Sequence, residues 1–234
     1  EPNPYVAQSA LLFDRGRIYF GWHALQRASE ADVEADILHS FKTFLAAADL
    51  KEALRLRLKR TIDRSGAFCQ SDALILYVAY LLHLSERAAL DDPGLPPEAR
   101  RCLRRYAYPT WRAGHAANTI VGAIFDAAAA VASTFGDRLS SSDGVDQSEA
   151  RRALDAAVTN PGEGRIEAGV FEAQAAAECH VAYSQGLPDH ILVFDMGAGT
   201  TDVTAFERGG TDGAPVMREL ANARQSVMLG CDEI

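Results

Sequence analysis

Asp195 follows four apolar residues, Ile191 to Phe194, and precedes a turn interrupted by Gly197 and Gly199; two hydroxyls, Thr200 and Thr201, and a second carboxylate, Asp202, come next. Glycines permit backbone angles that residues with a β-carbon avoid, and they let main-chain N–H groups approach an anion closely. Together with the two threonine hydroxyls, such a turn suits phosphate oxygens, and the flanking carboxylates suit a hydrated Mg²⁺ or an attacking water. The same pattern also suits a glycine-rich hairpin closed by an Asx turn. The elements around it therefore carry the argument.

Ile191 to Phe194 is too short for a helix and reads as an interior strand. Val203, Ala205 and Phe206, spaced by polar residues and followed by Arg208-Gly209-Gly210, read as the returning strand and a second turn, so the segment is a strand, loop, strand hairpin. Upstream, VFEAQAAAECHVAY (Val170 to Tyr183) reads as a strand end running into a small-residue helix, with Glu172 at its opening, where the helix dipole favours a carboxylate. Cys179 and His180 are adjacent and point to different helix faces, which disfavours a catalytic pair.

The rest of the chain divides into scaffold elements. Tyr5 to Phe20 reads as a hairpin about the turn Asp14-Arg15-Gly16-Arg17, and Ala31 to Asp49 as helical in composition. Leu54, Leu56 and Leu58 alternate with Arg55, Arg57 and Lys59, which favours a strand with one basic face. Ser71 is placed to cap a helix striped by Leu74, Ile75, Val78, Leu81 and Leu82 and ended by Asp91-Asp92-Pro93-Gly94, with His83 at its surface or boundary. Cys102 to Tyr108 reads as a strand, a further helix runs through Ala127 to Ala132, Ser140 to Asp146 is a loop, and a helix spans Gln147 to Val158.

With 234 residues, 48% hydrophobic and 24% charged, the chain has the length to bury a sizeable core. Its net charge of -9 argues against nucleic acid or an anionic membrane as the main partner. Four cysteines without a C-x-x-C spacing suggest neither a zinc site nor a disulfide framework, and a reducing cytoplasm is the expected location. The stretch Ala116 to Phe135, the best candidate for a membrane span, carries Asn118 and Asp126 and is read as a buried helix.

In order and character these segments resemble the ATPase domain of the seventy-kilodalton heat-shock chaperones, within the actin, sugar-kinase and chaperone superfamily. FDMGAGTTDV resembles the family's second phosphate loop, VFEAQAAAE its E-P-T-A-A-A helix, RRYAYPTW its V-P-A-Y-F strand end, and ILHSFKTFL the segment bearing its phosphate-facing lysine. SDALILYVAYLLHLSERAAL matches in order, and VMLGCDEI resembles the L-G-G-x-D-F-D segment that follows the second phosphate hairpin. The resemblance implies an α/β chain of actin-like ATPase (ribonuclease-H-like) fold. Residues 1–186 would form most of lobe I, with an inserted helical and β subdomain at about 21–100, and residues 187–234 would begin lobe II.

It further implies ATP or ADP with Mg²⁺ as cofactors and an ATP-driven, chaperone-like switch as the function, with a protein client or co-chaperone as partner. Asp195 would orient the water or the hydrated metal and Glu172 would bind metal-shell water; Lys42 would put positive charge near the transferred phosphoryl group. Gly197, Ala198, Gly199, Thr200, Thr201, Asp202 and Gly230 would contact the nucleotide, with Thr200 beside the γ-phosphate. Ala198 replaces the middle glycine of the family's triplet, and Ala173-Gln174 replaces its Pro-Thr. No Asp-Leu-Gly-Thr loop precedes Tyr5, and the adenosine-binding half is missing, so the chain as written is expected to be catalytically incomplete and to self-associate through its exposed hairpin. Two rivals share the fold: an actin-like filament or cell-division ATPase, and a non-catalytic interaction module.

Overall fold

The structure, a computed structural model, describes residues 7–30, 32–33, 35–39, 41–45, 47, 49–94, 106–108, 116–164, 170–174, 176–177, 190–196, 201–209, 216–220, 223 and 225–227. In chain order the elements are β1 (Leu11–Asp14), β2 (Arg17–Phe20), α1 (Gly21–Ala28), α2 (Lys42–Leu45), α3 (Leu50–Arg55), α4 (Gln70–Asp91), β3 (Ala107–Tyr108), α5 (Ala116–Phe135), β4 (Val145–Asp146), α6 (Gln147–Thr159), β5 (Val170–Phe171), β6 (His190–Met196), β7 (Thr201–Gly209), β8 (Val216–Glu219) and β9 (Gln225–Val227). A 3-10 helix, Gly136–Ser140, follows α5 directly. The chain is thus a mixture of helices and small sheets that forms two compact units, one of residues 1–104 and 116–166, the other of residues 105–115 and 167–234.

The first unit is mainly helical. β1 and β2 form the expected hairpin, in register from Leu11↔Phe20 to Asp14↔Arg17, and β4 adds to β2. The two turn residues, Arg15 and Gly16, both have positive φ (46° and 77°), the geometry of a type I′ turn that matches the strands' own twist. α5 packs between α4 and α6. Its buried positions Val121, Ile124, Ala128, Val131 and Phe135 recur every three or four residues, so a stripe rather than the whole circumference faces the core. Two helices, Gln70–Asp91 and Thr119–Ser140, are long and apolar enough to cross a membrane by length and composition, with 50% and 39% of the relevant window buried inside the protein. α6 begins one residue after Asp146, whose carboxylate accepts from the Ser148 and Glu149 amides at 2.9 and 3.0 Å and caps the helix.

Several local expectations are corrected here. Of Ala31 to Asp49, only Lys42–Leu45 is helical among the described residues. Leu38 instead exchanges backbone hydrogen bonds with Leu11, while Val33, Ala35 and Ile37 pack against Ala10, Leu12 and Ala24. The alternation at Leu54, Leu56 and Leu58 does not make a strand. α3 holds Leu54, started by the Asp49 carboxylate accepting from the Glu52 amide at 3.0 Å, and only the residues after it are extended, with Arg57 bridged to Cys69. α4 is capped at Cys69 rather than Ser71, the Asp72 carboxylate accepting from the Cys69 amide at 2.8 Å. His83 is buried, its Nε2 lying 3.1 Å from the Ser140 hydroxyl. The strand expected over Cys102 to Tyr108 is seen at Ala107–Tyr108; residues 102–105 lie outside the described ones.

The second unit is built on strands. β3 and β5 pair in parallel, Ala107↔Val170 and Tyr108↔Phe171. β6 and β7 pair antiparallel along their length, and β7 is held on its other edge by β8 near its end and β9 near its start. Residues 172–174 and 176–177 are helical, directly after β5, as read from the sequence.

Candidate functional site: three converging carboxylates

The β6–β7 hairpin sorts its side chains by parity, since successive residues of a strand point to opposite faces. Ile191, Val193 and Asp195 share a face with their partners Phe206, Thr204 and Asp202. That face is inward. Ile191 and Val193 pack on a cluster formed by Ala173, Ala177, Phe206 and Met217, whereas Leu192 and Phe194, of the opposite parity, are 56% and 64% exposed. Ala173 and Ala177 lie four residues apart and so share one side of the helical stretch, where methyl-sized side chains let helix and sheet approach closely. This contact delivers Glu172, at the start of the helix, to the end of the hairpin.

There the carboxylates of Glu172, Asp195 and Asp202 converge, with one oxygen from each lying within 4.8 Å of the others. Asp195 and Asp202 are direct cross-strand partners, an arrangement that repels when like charges face each other. Glu172 and Asp195 are half-buried, but Asp202 is only 2% exposed and its Oδ1 has no hydrogen-bond partner among the described residues. A buried carboxylate oxygen without a donor is costly, and a cation or an ordered water is the ordinary remedy. The donor set is all oxygen, with one oxygen from each group within 4.8 Å of the others; it fits a hard divalent cation.

The structure brings together Glu172, Asp195 and Asp202 of the residues singled out in the sequence. Thr201 is the first residue of β7, half-buried and opposite Met196. Gly197, Ala198, Gly199, Thr200 and Gly230 lie outside the described residues, and Lys42 begins α2 in the first unit. Thr204 escaped notice in the sequence, although the alternation Asp202, Thr204, Phe206 along β7 puts it on the inward face; it is fully buried and its hydroxyl, like Asp202 Oδ1, is unpartnered among the described residues. Concavities in the first unit are of another kind. A cleft of about 440 Å³ beside the β1–β2 turn is lined by Asp14, Arg15 and Asp32, whose charges are met by Arg27–Asp14 and Arg15–Asp32 ion pairs at 2.7 and 2.8 Å.

A scan against protein-family models finds no match to the chain, and a search of curated proteins finds none either.

Proposed function

We propose that the chain is part of an ATP-binding, ATP-hydrolysing, chaperone-like molecular switch on an actin-like ATPase fold, with the Glu172, Asp195 and Asp202 carboxylates forming its cation subsite. The observation that carries this reading is the convergence of these three groups around a buried carboxylate oxygen, unpartnered among the described residues, at the end of a hairpin whose connecting sequence is GAGT. A second feature supports it. Glu172 follows the carboxyl end of β5, a strand in a parallel pair, and ligands of α/β sheets gather at the carboxyl ends of such strands.

Mg²⁺ bound there would supply neutralisation of the charge on phosphoryl oxygens. In this reading Asp195 orients the attacking water or a water of the cation's shell, and it can accept a hydrogen bond from it because its carboxylate is only half-buried. Asp202, buried in the sheet and paired across it with Asp195, is held in place by the strand. Glu172 approaches from the helical side, so the subsite is complete only while helix and hairpin stay packed on Ala173 and Ala177. The glycines of the connecting turn would leave backbone N–H groups to meet phosphate.

The test is nucleotide binding by calorimetry with and without Mg²⁺, for the chain and for Asp195→Asn. Binding of millimolar affinity that requires Mg²⁺ and is lost in the variant supports the reading, because one phosphate hairpin supplies only part of a nucleotide site. Binding that is indifferent both to Mg²⁺ and to the substitution overturns it.

A further inference from the structure

We propose that Thr204 is a positioning residue for Asp202, joined to it by a single buried water, and that this link sets the direction in which the Asp202 carboxylate meets its cation. The role rests on the cation reading above; the water link rests on the geometry of β7 alone.

Asp202 Oδ1 and Thr204 Oγ1 are both buried oxygens with no hydrogen-bond partner among the described residues. They belong to neighbouring inward positions of one strand, where Cα atoms two residues apart are ~6.7 Å from each other. Two oxygens bridged by one water, each at ~2.8 Å from it, stand roughly 4.5–5.5 Å apart, which side chains at that spacing reach readily. One molecule then satisfies both groups, receiving the threonine proton and donating its own to the carboxylate, or the reverse at the hydroxyl end. Among the described residues, Thr204 stands opposite Val193 and next in line to Phe206, which is fully buried, and neither side chain competes for its hydroxyl.

The choice of residue points the same way. At a position with 0% exposure, packed among Val193 and Phe206, valine would fill the same space without burying a hydroxyl. A threonine there carries an unmet cost unless its oxygen has work to do. A carboxylate offers about four acceptor positions. Occupying one from the Thr204 side leaves the others directed toward Glu172 and Asp195, so the hydroxyl fixes the carboxylate from the core side of the subsite.

Two measurements test this. In a crystal of the wild-type chain at high resolution, a water within ~3.2 Å of both Thr204 Oγ1 and Asp202 Oδ1 is expected; an empty or purely apolar contact there overturns the link, whatever the variants do. Mn²⁺ binding to nucleotide-free protein, read by electron paramagnetic resonance, is then compared for wild type, Thr204→Val and Thr204→Ser. Thr204→Val is expected to weaken Mn²⁺ binding roughly ten-fold, the usual size of an outer-shell loss, with Thr204→Ser within about two-fold of wild type. Equal affinity in all three overturns the positioning role while leaving the cation reading standing. Failure of the wild type to bind Mn²⁺ sinks the cation reading itself and the positioning role with it. Should Thr204→Val not fold, the serine variant and the crystal decide.

Discussion

Replacing Asp202 by asparagine removes a charge while keeping the side chain's shape, and its stabilising effect should be large without a divalent cation and small with one. Three carboxylate oxygens lie within 4.8 Å of one another. At 4.8 Å, the outer limit of their spacing, and an effective dielectric of ~20, a pair of unit charges repels by about 3.5 kcal/mol. Asp202 takes part in two of the three pairs. Because Glu172 and Asp195 are half-buried and partly screened by solvent, and because an asparagine amide must still be accommodated at a buried position, a net relief of about 2 kcal/mol is a reasonable expectation. For a chain of this size that is roughly 4–8 °C in melting temperature. In EDTA, therefore, Asp202→Asn should melt higher than wild type by that amount. In 10 mM Mg²⁺ the wild type gains RT ln(1 + [L]/Kd), about 1.4 kcal/mol for a Kd on the order of 1 mM, and the variant gains little, so the gap closes by most of its width. Thermal unfolding followed by circular dichroism in the two buffers reads both numbers. A variant that melts below wild type in EDTA would show that the Asp202 charge is already satisfied by the protein, and the argument for a cation subsite would lose its foundation.

Gly21→Ala is expected to cost about 2–4 kcal/mol, since Gly21 has φ +54° and an added β-carbon would lie 2.1 Å from the Tyr80 hydroxyl, displacing a buried ring stacked on Phe20. Adding Tyr80→Phe should recover only part of the loss, because the next ring atom is at 2.7 Å; a melting temperature within ~1 °C of wild type for Gly21→Ala would refute the geometry. Asp146→Ala should cost about 1 kcal/mol at pH 7 through loss of the α6 cap. The Asp146 carboxyl is held below its ordinary value of 3.8, chiefly by the Ser148 hydroxyl and then by the Glu149 amide. Its contribution is therefore present above that value and fades as pH falls through the lower folded-state value, so wild type and variant should converge below pH 3.8. On the proposed ATPase reading, Asp195→Asn should lower turnover by on the order of a hundredfold with the fold unchanged, and unaltered turnover would remove Asp195 from the chemistry.

The hairpin was legible from an apolar run, a glycine-interrupted turn and a returning strand, but the run Ile191 to Phe194, apolar at every position, suggested an interior strand, whereas β6 ends the sheet order and leaves Leu192 and Phe194 exposed. Glu172 was legible for a related reason, since a strand ending in a run of small residues marks a sheet-to-helix junction. The convergence of all three carboxylates depends instead on how closely Ala173 and Ala177 let the helix settle, which no local pattern encodes. Around Leu54 the alternation misled because leucine, lysine and arginine are as much at home in helices as in strands. The decisive sign was Asp49 three residues before Glu52, a start signal that the alternation obscured. In Ala31 to Asp49 the composition pointed to a helix, while Val33, Ala35 and Ile37 carried the period of two that extended packing requires.

One consequence of the Asp195↔Asp202 register concerns what a lineage carrying this hairpin can inherit. Deleting a single codon within β6 would reverse its parity, turning Phe194 and Leu192 inward and the carboxylate outward, so an apolar surface would stand where the acids converge. Deleting two would restore parity but set Asp195 two positions out of step with Asp202, breaking the pair while preserving the core. Length changes in the connecting segment 197–200 meet neither objection, provided both strands keep their pairing. Substitution can therefore retune this site gradually, but insertion and deletion are confined to the turn, and the two strands must lengthen or shorten together or not at all.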